Sequence, residues 1–158
     1  MEFSLWVHDI EDVIPVCREL GIGIVYRPLG RGFLGRKATT ASLPTESLLN
    51  MHPRFTGENL EKNKVIFARF ADQAAKHACS PPQLALAWLF HQGEEIILIP
   101  KTIKVKKLEN NIGSFGLKFT EEELKEICDV VSIDEVGGRG EFAFSASHVY
   151  KVANTPRK

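Results

Sequence analysis

Apolar residues recur at three- and four-residue spacing along much of the chain and form short unbroken runs elsewhere. Ile10, Val13, Ile14, Cys17 and Leu20 share one helical face, with Asp9 placed to cap it and Gly21 to end it, although Pro15 interrupts the pattern. Residues 22–26 and 96–99 are apolar runs suited to strands buried on both faces, the second stopped by Pro100. Residues 60–77 return to a helical period through Val65, Ile66, Phe70 and Ala74. Ser80-Pro81-Pro82-Gln83 is a capping box with proline in its first turn, launching an apolar helix over residues 84–90 that Gln92-Gly93 ends. A helix over residues 104–115 places Leu108, Ile112 and Phe115 on one face. Thr120 to Glu123 is a second capping box, ahead of Leu124, Ile127, Cys128 and Val131.

Strands alternating with helices imply βαβ units and a parallel sheet. Residues 36–59 carry no period and contain Pro44, Pro53 and Gly57, so they read as a long functional loop. Residues 137–158 are rich in glycine, serine and lysine and also lack a period.

Composition narrows the function classes. The chain has 158 residues, of which 44% are apolar and 25% charged, ordinary values for a globular domain. Its 20 basic and 20 acidic residues cancel. Neither nucleic acid nor an anionic membrane is then attracted by overall charge, and any anion must be held by a local cluster. Cys17, Cys79 and Cys128 are widely spaced and odd in number, which speaks against a disulfide framework or a zinc site. No basic leader and no membrane-length apolar run is present, so a soluble, cytoplasmic protein is expected. His8, His52, His77, His91 and His148 show no metal-ligand spacing and read as surface or helix-end residues.

Parallel α/β folds bind ligands where strands end, which directs attention to the loops after Tyr26 and Ile99. The first, residues 26–35, contains GxGxxG at Gly30, Gly32 and Gly35. A dinucleotide-binding Rossmann turn needs an amphipathic helix directly after it and a later acidic residue for the ribose, and neither follows here. The second loop sets Lys101, Lys104, Lys106 and Lys107, with Thr102, at a joint between strand and helix. Cations at a helix N-terminus oppose its dipole, a penalty that a bound anion reverses.

Together the two loops and their surroundings resemble the aldo-keto reductase family, in particular its plant auxin-induced and perakine-reductase-like members. The resemblance rests on residues 2–6, 17–25 and 28–33, then Ser80 to Trp88, Ile99-Pro100-Lys101-Thr102, and Leu108 to Ile112, all in order. It implies an α/β fold that is the C-terminal part of a (β/α)₈ TIM barrel, an incomplete barrel of parallel strands with alternating helices. It divides the chain into residues 1–135, carrying the NADP-binding loops, and a C-terminal tail, residues 136–158. It implies an NADP(H)-dependent oxidoreductase converting carbonyl to alcohol.

By the same resemblance Tyr26 stacks on the nicotinamide, and Pro28, Leu29, Gly30, Arg31 and Gly32 cover the pyrophosphate. Lys101, Thr102, Lys104 and Lys107 hold the adenosine 2′-phosphate, while Asn110 and Asn111 meet the adenine. Arg27 replaces the usual serine, and Lys101 a common glycine. The family's proton-donating tyrosine, with its lysine, aspartate and histidine, falls outside the matching half. Tyr26 and Tyr150 do not fit that role, so no catalytic residue is assigned. The chain then reads as the truncated cofactor-binding half of an enzyme acting on a small carbonyl substrate. The alternative is a non-catalytic nucleotide-binding or interaction module, able to self-associate through unpaired barrel edges.

Overall fold

The computed structural model describes residues 13–35 and 46–138. Within them α1 (Ile14–Glu19), β1 (Ile24–Tyr26), α2 (Gly57–Lys76), α3 (Pro81–Phe90), β2 (Ile96–Leu98), α4 (Val105–Gly113) and α5 (Glu121–Val130) follow in order. β1 and β2 pair in parallel, Ile24 opposite Ile96, Val25 opposite Ile97 and Tyr26 opposite Leu98. The helices from 57 to 90 form the crossover between them, as a parallel pair requires.

Pro15 starts α1 rather than interrupting it, because proline's missing N–H costs nothing in the first turn. Val13 stands at the cap; Asp9 and Ile10 lie outside the described residues. Gly21 ends the helix at φ +64°, and the N–H of Ile22 reaches back to Cys17 O at 2.8 Å. Both capping boxes form as expected, Ser80 with Gln83 and Thr120 with Glu123.

The core gathers around α3. Leu84 through Leu89 are all buried, so this helix is apolar on every side and must be enclosed. Trp88 packs there and its indole N–H donates to Cys128 Sγ of α5 at 3.1 Å. α2 adds Ile66, Phe67, Phe70 and Ala74, and α5 adds Ile127. Large-to-small changes such as Leu89→Ala cost about 2–5 kcal/mol in such a core.

Several expectations are corrected. The strands are shorter than the apolar runs and are buried on one face only. Ile24 and Ile96 face the helices, whereas Val25 is 56% and Ile97 52% exposed. The covering helices described here lie on one side of the sheet; a closed barrel covers the other. Val65 is exposed, and α2 instead buries Asn63 and Gln73 along its apolar stripe. Leu108 and Ile112 do share a face of α4, yet that face is half open. Phe115 sits beyond α4 in a 3₁₀ turn, stacked on Phe90 at 4.4 Å. The aperiodic stretch before α2 contains 3₁₀ turns at Leu48–Met51 and Pro53–Phe55. At the start of the segment read as a tail, Val136 is buried and Gly137 is hydrogen-bonded to Asn63.

Candidate cofactor site

Because Tyr26 and Leu98 are register partners, the loops after them leave the same edge of the sheet, about 5 Å apart at their roots. The pairing thus unites two sequence regions some seventy residues distant.

The first loop is a tight turn in the left-handed region. Gly30, Arg31 and Gly32 have φ of +54°, +57° and +91°. Glycine adopts these values freely; for Arg31 the conformation costs about 1 kcal/mol, which surrounding structure has to offset. That support is visible. Pro28 and Gly30 are buried, Leu29 packs against the core, and Phe33 and Leu34 are fully enclosed. The Gly32 N–H bonds to Leu29 O at 2.8 Å, Phe33 N–H to Gly30 O at 3.1 Å and Gly35 N–H to Gly32 O at 3.1 Å. A Cβ at Gly32 would meet nothing within 4 Å, so its outer face is open to a ligand. The GxGxxG therefore forms a 3₁₀ turn anchored by Phe33, not the opening of a Rossmann helix.

In the second loop Lys101, Ile103 and Lys104 are exposed. Thr102 is half-buried, its hydroxyl accepting the Lys104 N–H at 3.2 Å. Lys104 occupies the N-cap of α4 without a side-chain cap, and Lys106 and Lys107 follow in a first turn containing no acid. Lys107 lies three residues from Lys104 and is also exposed, so both ammonium groups can reach one anion at the helix start.

Asn110 and Asn111 are placed differently. The Asn110 amide faces the cap of α3, its Nδ2 donating to Ser80 Oγ at 3.0 Å. That amide ties α4 to α3. Asn111 is 9% exposed. Tyr26 ends β1 at the same edge as both loops.

Behind the glycine turn lie residues that periodicity did not reveal. His52 is buried, its Nδ1 accepting the Arg54 N–H at 3.2 Å. Burial first, then the charges of Arg31 and Arg54, push its pKa down to about 4. His52 ends a helix, as expected of the histidines, but it is not a surface residue. Phe55 packs on Phe33 with ring centroids 5.6 Å apart. Asn63 is fully buried, and a polar residue in register with Ile66, Phe67 and Phe70 was the available signal. Among the described residues no group of three or more His, Cys, Asp and Glu side chains could hold a metal ion, and no helix is long and apolar enough to cross a membrane.

The chain spans about half the length of the relatives it matches. A probable aldo-keto reductase 1 of Glycine max is 50% identical over all of this chain and 46% of its own length. The structure of a glycerol dehydrogenase from Gluconobacter oxydans superimposes with a TM-score of 0.71 at 25% identity, covering 82% of this chain and 40% of that one. A thermostable aldo-keto reductase solved with the inhibitor epalrestat matches in fold, with a TM-score of 0.54 at 21% identity over 82% of this chain and 38% of that one. The fold is accordingly part of an α/β barrel with parallel strands and alternating helices, and not a closed barrel. Residues 1–132 match the Aldo/keto reductase family, and the chain belongs to it.

Proposed function

We propose that this chain is the cofactor-binding half of an NADP(H)-dependent oxidoreductase that interconverts carbonyl and alcohol. The observation that carries this reading is the parallel register of β1 and β2, which sets an open glycine turn beside an uncapped, lysine-rich helix start. When bound, the nicotinamide cofactor supplies a hydride. The chain's own residues bind and orient. Gly32 approaches the pyrophosphate through backbone unobstructed by a Cβ, with Pro28, Leu29, Gly30 and Arg31 shaping the turn. Lys104 and Lys107 neutralise the 2′-phosphate, and Lys101 and Thr102 complete that corner. Tyr26 lies at the nicotinamide, and Asn110 and Asn111 border the adenine, the former bonded also to Ser80.

The proton donor for the carbonyl oxygen comes from the barrel half these residues do not include. The 158-residue chain therefore has no measurable carbonyl reductase activity of its own, since general acid catalysis contributes about 10²- to 10⁴-fold. Competition tests the binding reading: 2′,5′-ADP should displace NADPH from the chain, and 5′-AMP should not. Equal displacement by both would contradict the 2′-phosphate assignment.

The open face of Val25 and Ile97 supports a second reading, a non-catalytic module that pairs through this apolar surface. Under that reading the chain self-associates in sedimentation at micromolar concentration and Ile97→Lys disperses it.

A further inference from the structure

The left-handed glycine turn is held from behind by a seam between distant segments. Asn63 on α2 is fully buried and uses its amide on both sides of that seam. Its Nδ2 donates to Arg54 O at 2.9 Å and to Gly137 O at 3.0 Å, while its Oδ1 accepts the Gly137 N–H at 2.9 Å. The side chain thus pairs with both backbone groups of Gly137, much as a neighbouring strand would.

Glycine is required on the other side of the contact. A Cβ on Gly137 would come within 2.9 Å of Asn59 Cα, and one on Gly138, at φ +72°, within 2.5 Å of Arg54 N. Backbone therefore meets backbone at Pro53 and Arg54. Phe55, next to Arg54, packs on Phe33, which also meets Phe67 edge-on at 6.1 Å. Phe33 directly follows Gly30, Arg31 and Gly32.

We propose that Asn63 is a positioning residue for the glycine turn, acting through Arg54, Phe55 and Phe33, and that docking of Gly137 and Gly138 is part of the same latch. A strained Arg31 persists only where its surroundings over-determine it. Asn63 supplies the hydrogen bonds that fix the seat of Phe33. Asn63 touches no proposed ligand atom; its effect on the cofactor rests on the binding reading above, whereas its effect on the turn does not.

The two are separated by measuring both. Removing a buried partner leaves carbonyls unsatisfied, which opens the local structure appreciably. In Asn63→Ala, hydrogen exchange of the segment 29–35 should run about tenfold faster than in the parent chain. Gly137→Ala, which keeps the Asn63 side chain but drives a Cβ against Asn59 at the start of α2, should do the same, and the double variant should be no faster than the faster single one. It also serves if Asn63→Ala does not fold. NADPH and NADH should weaken by the same factor in either variant at unchanged stoichiometry, whereas lost folding would lower the stoichiometry alone. Unchanged exchange at 29–35 in a folded variant overturns the proposal. If the parent chain binds neither nucleotide, the cofactor reading falls while the exchange rates still decide the latch.

Discussion

The two ends of the small parallel sheet are built on opposite principles. At the ends where β1 and β2 begin, polar groups find partners within the chain. Arg18 of α1 bonds Glu95 through Nε at 3.0 Å and Nη2 at 2.6 Å, and also reaches Gln92 O at 3.1 Å. The Ile24 N–H meets Glu95 O at 2.7 Å. Where the strands finish, the chain holds a left-handed arginine, an uncapped helix and lysines opposing the helix dipole. The first end ties a helix to the sheet. The second gives up local stability at the strand ends where barrel enzymes place their ligands, the end at which we propose the cofactor binds.

Acid should separate the ends most strongly, through His52 behind the glycine turn. Its folded pKa is about 4, below the ordinary 6.5, so the unfolded chain takes up the proton first as pH falls. Its contribution is complete above pH 6.5 and is lost toward pH 4, up to about 3 kcal/mol. Urea unfolding at several pH values should show this slope, and His52→Asn should flatten it.

The next effect concerns the capping boxes. Ser80 caps α3 and also bonds Asn110 across to α4, whereas the Thr120 cap bonds within its own helix start. Ser80→Ala should cost about 2 kcal/mol and Thr120→Ala about 1 kcal/mol by chemical denaturation. Equal costs would remove Asn110 from the account of how α4 is held.

A smaller change has the opposite sign. Lys104→Asp supplies α4 with a cap and a favourable charge, and should stabilise the ligand-free chain by about 0.5–1 kcal/mol. Destabilisation would mean that the lysine serves the fold itself.

The least effect belongs to the closed end. The backbone N–H of Glu95, followed by the Arg18 guanidinium, holds the Glu95 carboxyl below its usual range. That support is present above the ordinary carboxylate pKa and disappears as pH falls through the lowered value. Since Arg18 is largely exposed, Arg18→Ala should shift the melting temperature only slightly at neutral pH and not at all at high salt.

Much of this was legible in sequence where the signal is local. The Ser80 and Thr120 caps, the Gly21 stop and the helical stripe of α2 depend on residues within a turn or two of each other. The same holds for the family motifs around Gly30 and Thr102. One-sided burial of Val25 and Ile97 was not legible, because an apolar run looks alike whether one or two layers cover it. Nor was the seam at Asn63, whose partners Arg54 and Gly137 are set by tertiary approach. The adjacency of the glycine and lysine loops became definite only with the register of Tyr26 and Leu98.

The most direct test of the site is a calorimetric titration of NADPH and NADH into the 158-residue chain and into Lys104→Ala. A well-made contact to a charged phosphate is worth about 1.5–3 kcal/mol, or roughly 10- to 150-fold in affinity. Lys104→Ala should lose affinity for NADPH in that range, the loss shrinking with added salt, and almost none for NADH. Equal weakening of the two cofactors, or no preference for NADPH in the parent chain, would contradict the 2′-phosphate assignment.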